Sequence, residues 1–173
     1  MNSIWKDVDQ LDANESISQV EKEMGVVFPL LFIETVRKYN GGRPLNNVFD
    51  TEKTTERIFS NLLTFNTSEE NSILAVYRDN VERLPQGVIP FATDPGGNYV
   101  CFDYRKSSNP EVVFWNHEEN FIVSDDDTME DPEVTSEAEL HDIEFVASDL
   151  FECFSILYQK EEVEEDFSDF EVL

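Results

Sequence analysis

Two histidines sit beside acids, His117 with Glu118 and His141 with Asp142. A carboxylate next to an imidazole is the pair that orients a general base. Such a base also needs a nucleophile, and no nucleophile-elbow sequence accompanies either pair. Both histidines read as structural. The densest run of hard oxygen donors is Asp125-Asp126-Asp127-Thr128-Met129-Glu130-Asp131, which is the ligand chemistry of Ca²⁺. It lacks the alternating ligands and central glycine of an EF-hand loop, so it gathers cations diffusely and no specific metal site is expected. The scatter of two Cys and two His disfavours zinc. Gly41-Gly42 and Gly96-Gly97 lack the spacing of a phosphate or dinucleotide loop. The first pair ends a predicted helix and the second lies in a predicted hairpin turn. Cys101 and Cys153 fall in apolar stretches and read as reduced core residues. This inventory points away from an enzyme and calls for no cofactor.

What remains is charge. The chain carries 38 Asp and Glu against 12 Lys and Arg, a net −26. The imbalance is local: residues 111–173 hold 22 acids and one base, while residues 1–110 hold 16 acids and 11 bases. Self-repulsion of this size does not help a chain fold. It creates a field that attracts a basic partner and repels nucleic acid and anionic lipid. The composition therefore predicts binding to something cationic, with neither nucleic acid nor membrane as partner.

A length of 173 residues fits one domain with appendages, and such a domain buries about 70% of its unfolded surface without metal or disulfide staples. Hydrophobic content of 40% with 14 Phe argues against wholesale disorder. No apolar run reaches the ~18 residues of a membrane span. The first residues lack the basic-then-apolar pattern of an export signal, so a cytoplasmic location is expected.

The elements follow from period and punctuation. Ile17, Val20 and Met24 predict a helix over 14–25, with Ser16 and Gln19 as a capping box, Asn14 as the rival cap and Gly25 as the stop. Pro29 in a first turn, then Phe32, Val36 and Tyr39, predict a second helix. Leu30 and Ile33 lie off that stripe. They offer an apolar contact to a partner or to a second copy in a homodimer, unless the tail or third helix covers them. Residues 43–55 read as loop, 58–65 as a short strand, and 70–82 as a third helix carrying Ile73, Leu74, Tyr77 and Val81. Residues 88–92 and 99–102 flank dense turn chemistry and predict a hairpin, with Pro90 confining the first arm to an edge or a bulge. Residues 112–115 predict another strand. These apolar runs require a sheet covered on at least one face. Ser148 reads as the cap of a last helix, aided by Asp149 and Glu152, whose apolar face is Leu150, Phe151, Phe154, Leu157 and Tyr158. Residues 124–139 read as an exposed acidic loop. The stretch 161–173 interleaves Phe167, Phe170 and Leu173 with acids, as an interaction segment or a tail packed on its own domain.

The order of these pieces resembles one family. Trp5 is followed by Glu21 and Gly25, then Phe28-Pro29, Phe32 and Tyr39-Asn40-Gly41-Gly42. Next come Ile89-Pro90-Phe91-Ala92, Asp94 and Gly96-Gly97-Asn98. Val112 to Trp115 precedes His117-Glu118, and a helix opening at Ser148 carries Phe151 and Phe154. Over residues 5–158 this is similar to the SUKH superfamily of Smi/Knr-like proteins, which includes many immunity proteins of bacterial polymorphic toxin systems and a fungal cell-wall regulator. Leu30, Leu31 and Ile33 depart from the polar residues usual after the family's proline, and the acidic stretches look like additions.

The resemblance implies an α+β fold, a mostly antiparallel sheet with helices packed against it, as a single SUKH-like domain over 1–158. The stretch 124–139 would be an acidic insertion loop and 159–173 an acidic C-terminal tail. It implies an immunity protein that binds and neutralises a cognate toxin domain, the basic cleft of a nuclease being the natural target. The alternative is a housekeeping scaffold of the Smi/Knr type linked to cell-wall or regulatory processes. The expected partner-binding residues are Asp125, Asp126, Asp127, Glu130, Asp131, Glu133, Glu137 and Glu139.

Overall fold

Val88–Thr93 (β5) and Tyr99–Asp103 (β6) form the hairpin that the turn Asp94-Pro95-Gly96-Gly97-Asn98 dictates. The computed structural model describes residues 4–12, 17–117 and 143–161. Gly97 sits at φ +79°, a left-handed conformation natural to glycine. Glu111–Trp115 (β7) and Ile143–Ala147 (β8) complete an antiparallel sheet of order β5-β6-β7-β8. The strand β5 is both at the end of this order and bulged, its register shifting between Pro90 and Ala92. Residues 60–63 run along its outer side: Ser60 and Leu63 donate to Thr93 and Phe91.

Both faces of the sheet are covered. Alternation puts Ile89, Val100, Phe102, Val112 and Phe114 on the main core and Val88, Cys101, Val113 and Trp115 on the other side, under Leu84. That double coverage is why the strands read as continuous apolar runs.

The helices pack on the main-core face and at its rim. Helix α1, Ile17–Met24, ends at Gly25, φ +70°, and Val26 N–H donates to the Glu21 carbonyl across the turn, a Schellman closure. The Glu21 carboxylate also accepts from Phe28 N–H at 2.8 Å, so the Glu-x-x-x-Gly spacing aims the chain into the next helix. Helix α2, Leu30–Tyr39, starts after Pro29, which is its N-cap and not part of its first turn. Phe32 is fully buried, with the rings of Phe28, Phe65, Phe91 and Phe102 5.0–5.9 Å away. Asn40 then bonds Thr64 and Phe65, and a Cβ on Gly42 would lie 2.9 Å from the Tyr39 carbonyl. The expected third helix is shorter, Ile73–Asn80 (α3), with Ser72 as its cap and Val81 exposed at its end.

Several expectations need correction. Residues 43–55 are not a plain loop: Arg43–Pro44 (β2) pairs with Trp5–Lys6 (β1), and Val48–Phe49 (β3) pairs with Arg57–Ile58 (β4). Two-residue strands leave too little alternation to read. The strand expected over 58–65 reduces to β4 and isolated bridges at Leu62 and Thr64. Strand β8 is a further element that the sequence reading did not expect: Ile143-Glu144-Phe145 alternates, but over too few residues to stand out. The last helix, α4, Leu150–Ile156, is capped by Asp149, which accepts from Glu152 N–H, and not by Ser148. Its buried side is Leu150 and Cys153; Phe151 is exposed and Tyr158 lies beyond the helix. The capping box at Ser16, the rival cap Asn14, His141, and Phe167, Phe170 and Leu173 lie outside the described residues.

Candidate interaction surface

The eight acids expected to meet a partner, Asp125, Asp126, Asp127, Glu130, Asp131, Glu133, Glu137 and Glu139, lie outside the described residues. The fold nevertheless shows where their segment is rooted. Trp115 and Ile143 are direct cross-strand partners, so residues 116–142 join two adjacent antiparallel strands. Such neighbours need a connection of only about 2–5 residues. The pairing of β7 with β8 alone would be met by a far shorter connection.

The segment's two roots are anchored differently. On the β7 side, His117 N–H donates to Asn98 Oδ1 at 3.2 Å, and His117 Nδ1 lies 2.8 Å from the same oxygen. Asn98 in turn donates from its backbone and side chain to Asp94. His117 thereby ties β7 to the hairpin tip, a structural duty. On the β8 side, Glu144 accepts from Arg57 at 2.5 and 3.2 Å and from the Thr51 hydroxyl at 2.5 Å. The Arg57 guanidinium lies 3.8 Å over the Phe114 ring. Burial alone would push the Glu144 carboxyl up. The Arg57 and Thr51 hydrogen bonds and the nearby charges of Arg57 and Lys53 more than reverse this, leaving it below the usual range.

The C-terminal segment is rooted at the same loop. Tyr158 bridges Val48 through backbone bonds in both directions, and its hydroxyl donates to Asp50 Oδ1. That hydrogen bond pushes the phenol up from its ordinary value. Lys160 Nζ meets Glu56 at 2.8 Å. Residues 50–57 thus lie between both roots. The described residues hold 20 of the 38 acids and all 12 bases, a net −8; the other 18 acids, with no base, fall outside them. Eleven of those belong to residues 118–142 and six to 162–173.

Beside this loop lies a groove of about 500 Å³, lined by Leu45, Asn47, Val48, Glu56, Ile58 and residues 159–161. Its walls are β3, β4 and residues 159–161, which follow the point where Tyr158 pairs with Val48. Sequence reasoning missed it, because it is assembled from segments about 100 residues apart. Glu56 is its most informative residue. Asp7 and Glu56 are the described non-glycine residues at positive φ, Glu56 at +57°. Asp tolerates that region through local hydrogen bonds; for Glu it costs about 1–2 kcal/mol. Asp50 Oδ1 holds the turn by accepting Glu56 N–H at 2.7 Å. The Glu56–Lys160 pair is more than half exposed on both sides, so it contributes less than about 1 kcal/mol.

A comparison with protein families finds the SMI1-KNR4 cell-wall family, a SUKH family, over residues 14–131. The chain belongs to this SUKH family. Among curated proteins it is similar to the SPbeta prophage-derived uncharacterized protein YokK of Bacillus subtilis (strain 168), at 23% identity. That match covers 62% of this chain and 64% of YokK. No solved structure matches.

SUKH proteins are generally non-catalytic, and the described residues give the recognised motifs structural work. Glu21, Gly25, Asn40 and Asn98 hold backbone, and Phe32, Phe91 and Trp115 are core. Cys101 and Cys153 are free and buried; burial pushes both thiols up, Cys153 to about 12, so neither supplies a thiolate near neutral pH. Among the described residues no cluster of His, Cys, Asp or Glu is arranged for a metal, and no helix is long and apolar enough to cross a membrane. Leu30 is 69% exposed while Ile33 packs partly against the core, so only Leu30 is presented outward.

Proposed function

We propose that this SUKH protein is an immunity protein that binds a cognate toxin domain in the cytoplasm and neutralises it by occluding a cationic cleft, with a nuclease as the natural target. The reading is carried by one observation. A connection with 11 acids and no base joins two strands whose pairing needs only a tight turn. Retaining such a segment costs self-repulsion, which a cationic partner turns into attraction. Opposite fields also raise the association rate, and a toxin must be caught before it acts. The protein makes and breaks no covalent bond in this mechanism and engages neither nucleic acid nor membrane. The experiment is co-expression with the C-terminal toxin domain encoded beside it, scored by survival and by pull-down. Survival with a stable complex supports the reading; toxicity unchanged by the protein refutes it.

The family's cell-wall description favours a second reading, a non-catalytic scaffold for cell-wall or regulatory proteins. A gene with no adjacent toxin, and a wall defect on deletion, would select it.

A further inference from the structure

We propose that the groove between β3, β4 and residues 159–161 docks an extended segment of a partner protein that alternates cationic and apolar side chains. The proposal deepens the toxin-binding reading and rests on it for the sign of the partner's charge.

The chemistry of the groove selects this occupant. Leu45, Val48 and Ile58 supply an apolar floor, with Ile58 38% exposed. Glu56 and Glu161 supply carboxylates at its rim. Glu56, Ile58 and residues 159–161 are all exposed, so among the described residues nothing closes the groove. Small-molecule sites bury most of their ligand, whereas an open trough with extended walls suits a strand-like segment. A second copy of this chain is disfavoured, because two molecules at −26 repel.

Glu56 points the same way. The backbone there prefers glycine, yet a glutamate stands in the left-handed conformation with its carboxylate at the groove. Strained residues held by their surroundings concentrate where function needs the side chain. Among the described residues that carboxylate meets an exposed lysine, Lys160. A Lys or Arg from a partner replaces that contact like for like, while its neighbouring apolar side chain covers Ile58 and Val48.

The test is a titration of the full ¹⁵N-labelled chain with a blocked Lys-Val-Lys-Val-Lys-Val peptide, and with Lys-Gly-Lys-Gly-Lys-Gly at equal charge. The expected result is saturable shifts at Val48, Glu56, Ile58 and residues 159–161. The valine peptide should bind about fivefold tighter or better. Glu56→Gly should weaken it about threefold or more without lowering Tm. Ile58→Lys, at a half-exposed position, should abolish it and serves if the glycine variant misfolds. Equal affinity for the two peptides, with lining amides unmoved, overturns the proposal. So does unchanged affinity in both variants. Co-expression separates the two ideas: a silent groove with the toxin still neutralised removes only the groove, and a filled groove without neutralisation removes only the immunity reading.

Discussion

Glu144 stands near the start of β8, and its side chain is 13% exposed against 14% for Arg57. Both residues are partly buried, so losing the charged acceptor costs about what a hydrogen bond to a charged group is worth, roughly 1.5–3 kcal/mol. Glu144→Gln keeps one acceptor for Thr51 and should lose about 2 kcal/mol in urea unfolding at pH 7. The pH dependence carries a definite sign. The folded pKa of Glu144 is depressed, so its stabilisation is present above the ordinary glutamate value, ~4.3, and is lost as pH falls through the lower folded value. Asp103, where burial is outweighed by Arg105, adds in the same direction. The stability difference between wild type and Glu144→Gln should therefore shrink below pH 4.3 or so. A gap that widens on acidification would contradict the pair. At the same scale, burial and raised pKa predict that Ellman's reagent finds no reactive thiol in the native protein and two after denaturation.

The elements were legible in proportion to their length and periodicity. Residues 17–25 and 30–39 announced themselves by apolar stripes and by Gly25 and Pro29, and the β5–β6 hairpin by its turn residues. The pairs β1–β2 and β3–β4 were not legible, because two residues carry no period and their partners lie 37–39 and 8–10 residues away. Ser148 and Asp149 are both good caps, and only the chain's path shows Asp149 taking Glu152 N–H while Ser148 bonds the Glu152 carboxylate. The groove was hidden for a related reason: Val48 and Tyr158 become neighbours only in the fold. Two predictions belong here. Phe32→Ala removes a ring with four aromatic neighbours and should cost about 4 kcal/mol by urea unfolding. Gly25→Ala should cost about 1 kcal/mol, since nothing crowds a Cβ there and only the positive φ opposes it.

At the scale of the molecule, a domain of modest charge carries most of its excess acid outside the described residues. Replacing residues 118–142 with two glycines would leave a four-residue β7–β8 loop, a common hairpin length. The shortened protein should keep its Tm or gain a few degrees at low salt, since 11 like charges are gone. A lost cooperative transition would show that the insertion is part of the core. The acidic excess itself was plain in the composition. Its rooting beside residues 50–57, through Arg57–Glu144 and Glu56–Lys160, needed the fold.

The central claim is that a cationic protein is captured through an anionic surface. Stopped-flow association with the cognate toxin domain, from about 20 to 500 mM salt, tests it most directly, because Debye screening shortens from roughly 20 Å to roughly 4 Å over that range. The wild-type on-rate should fall by a factor of ten or more, roughly, and the variant with Asp125, Asp126, Asp127, Glu130, Asp131, Glu133, Glu137 and Glu139 changed to Asn or Gln should start lower and fall less. An on-rate indifferent to salt, or equal in the two proteins at low salt, would contradict the account.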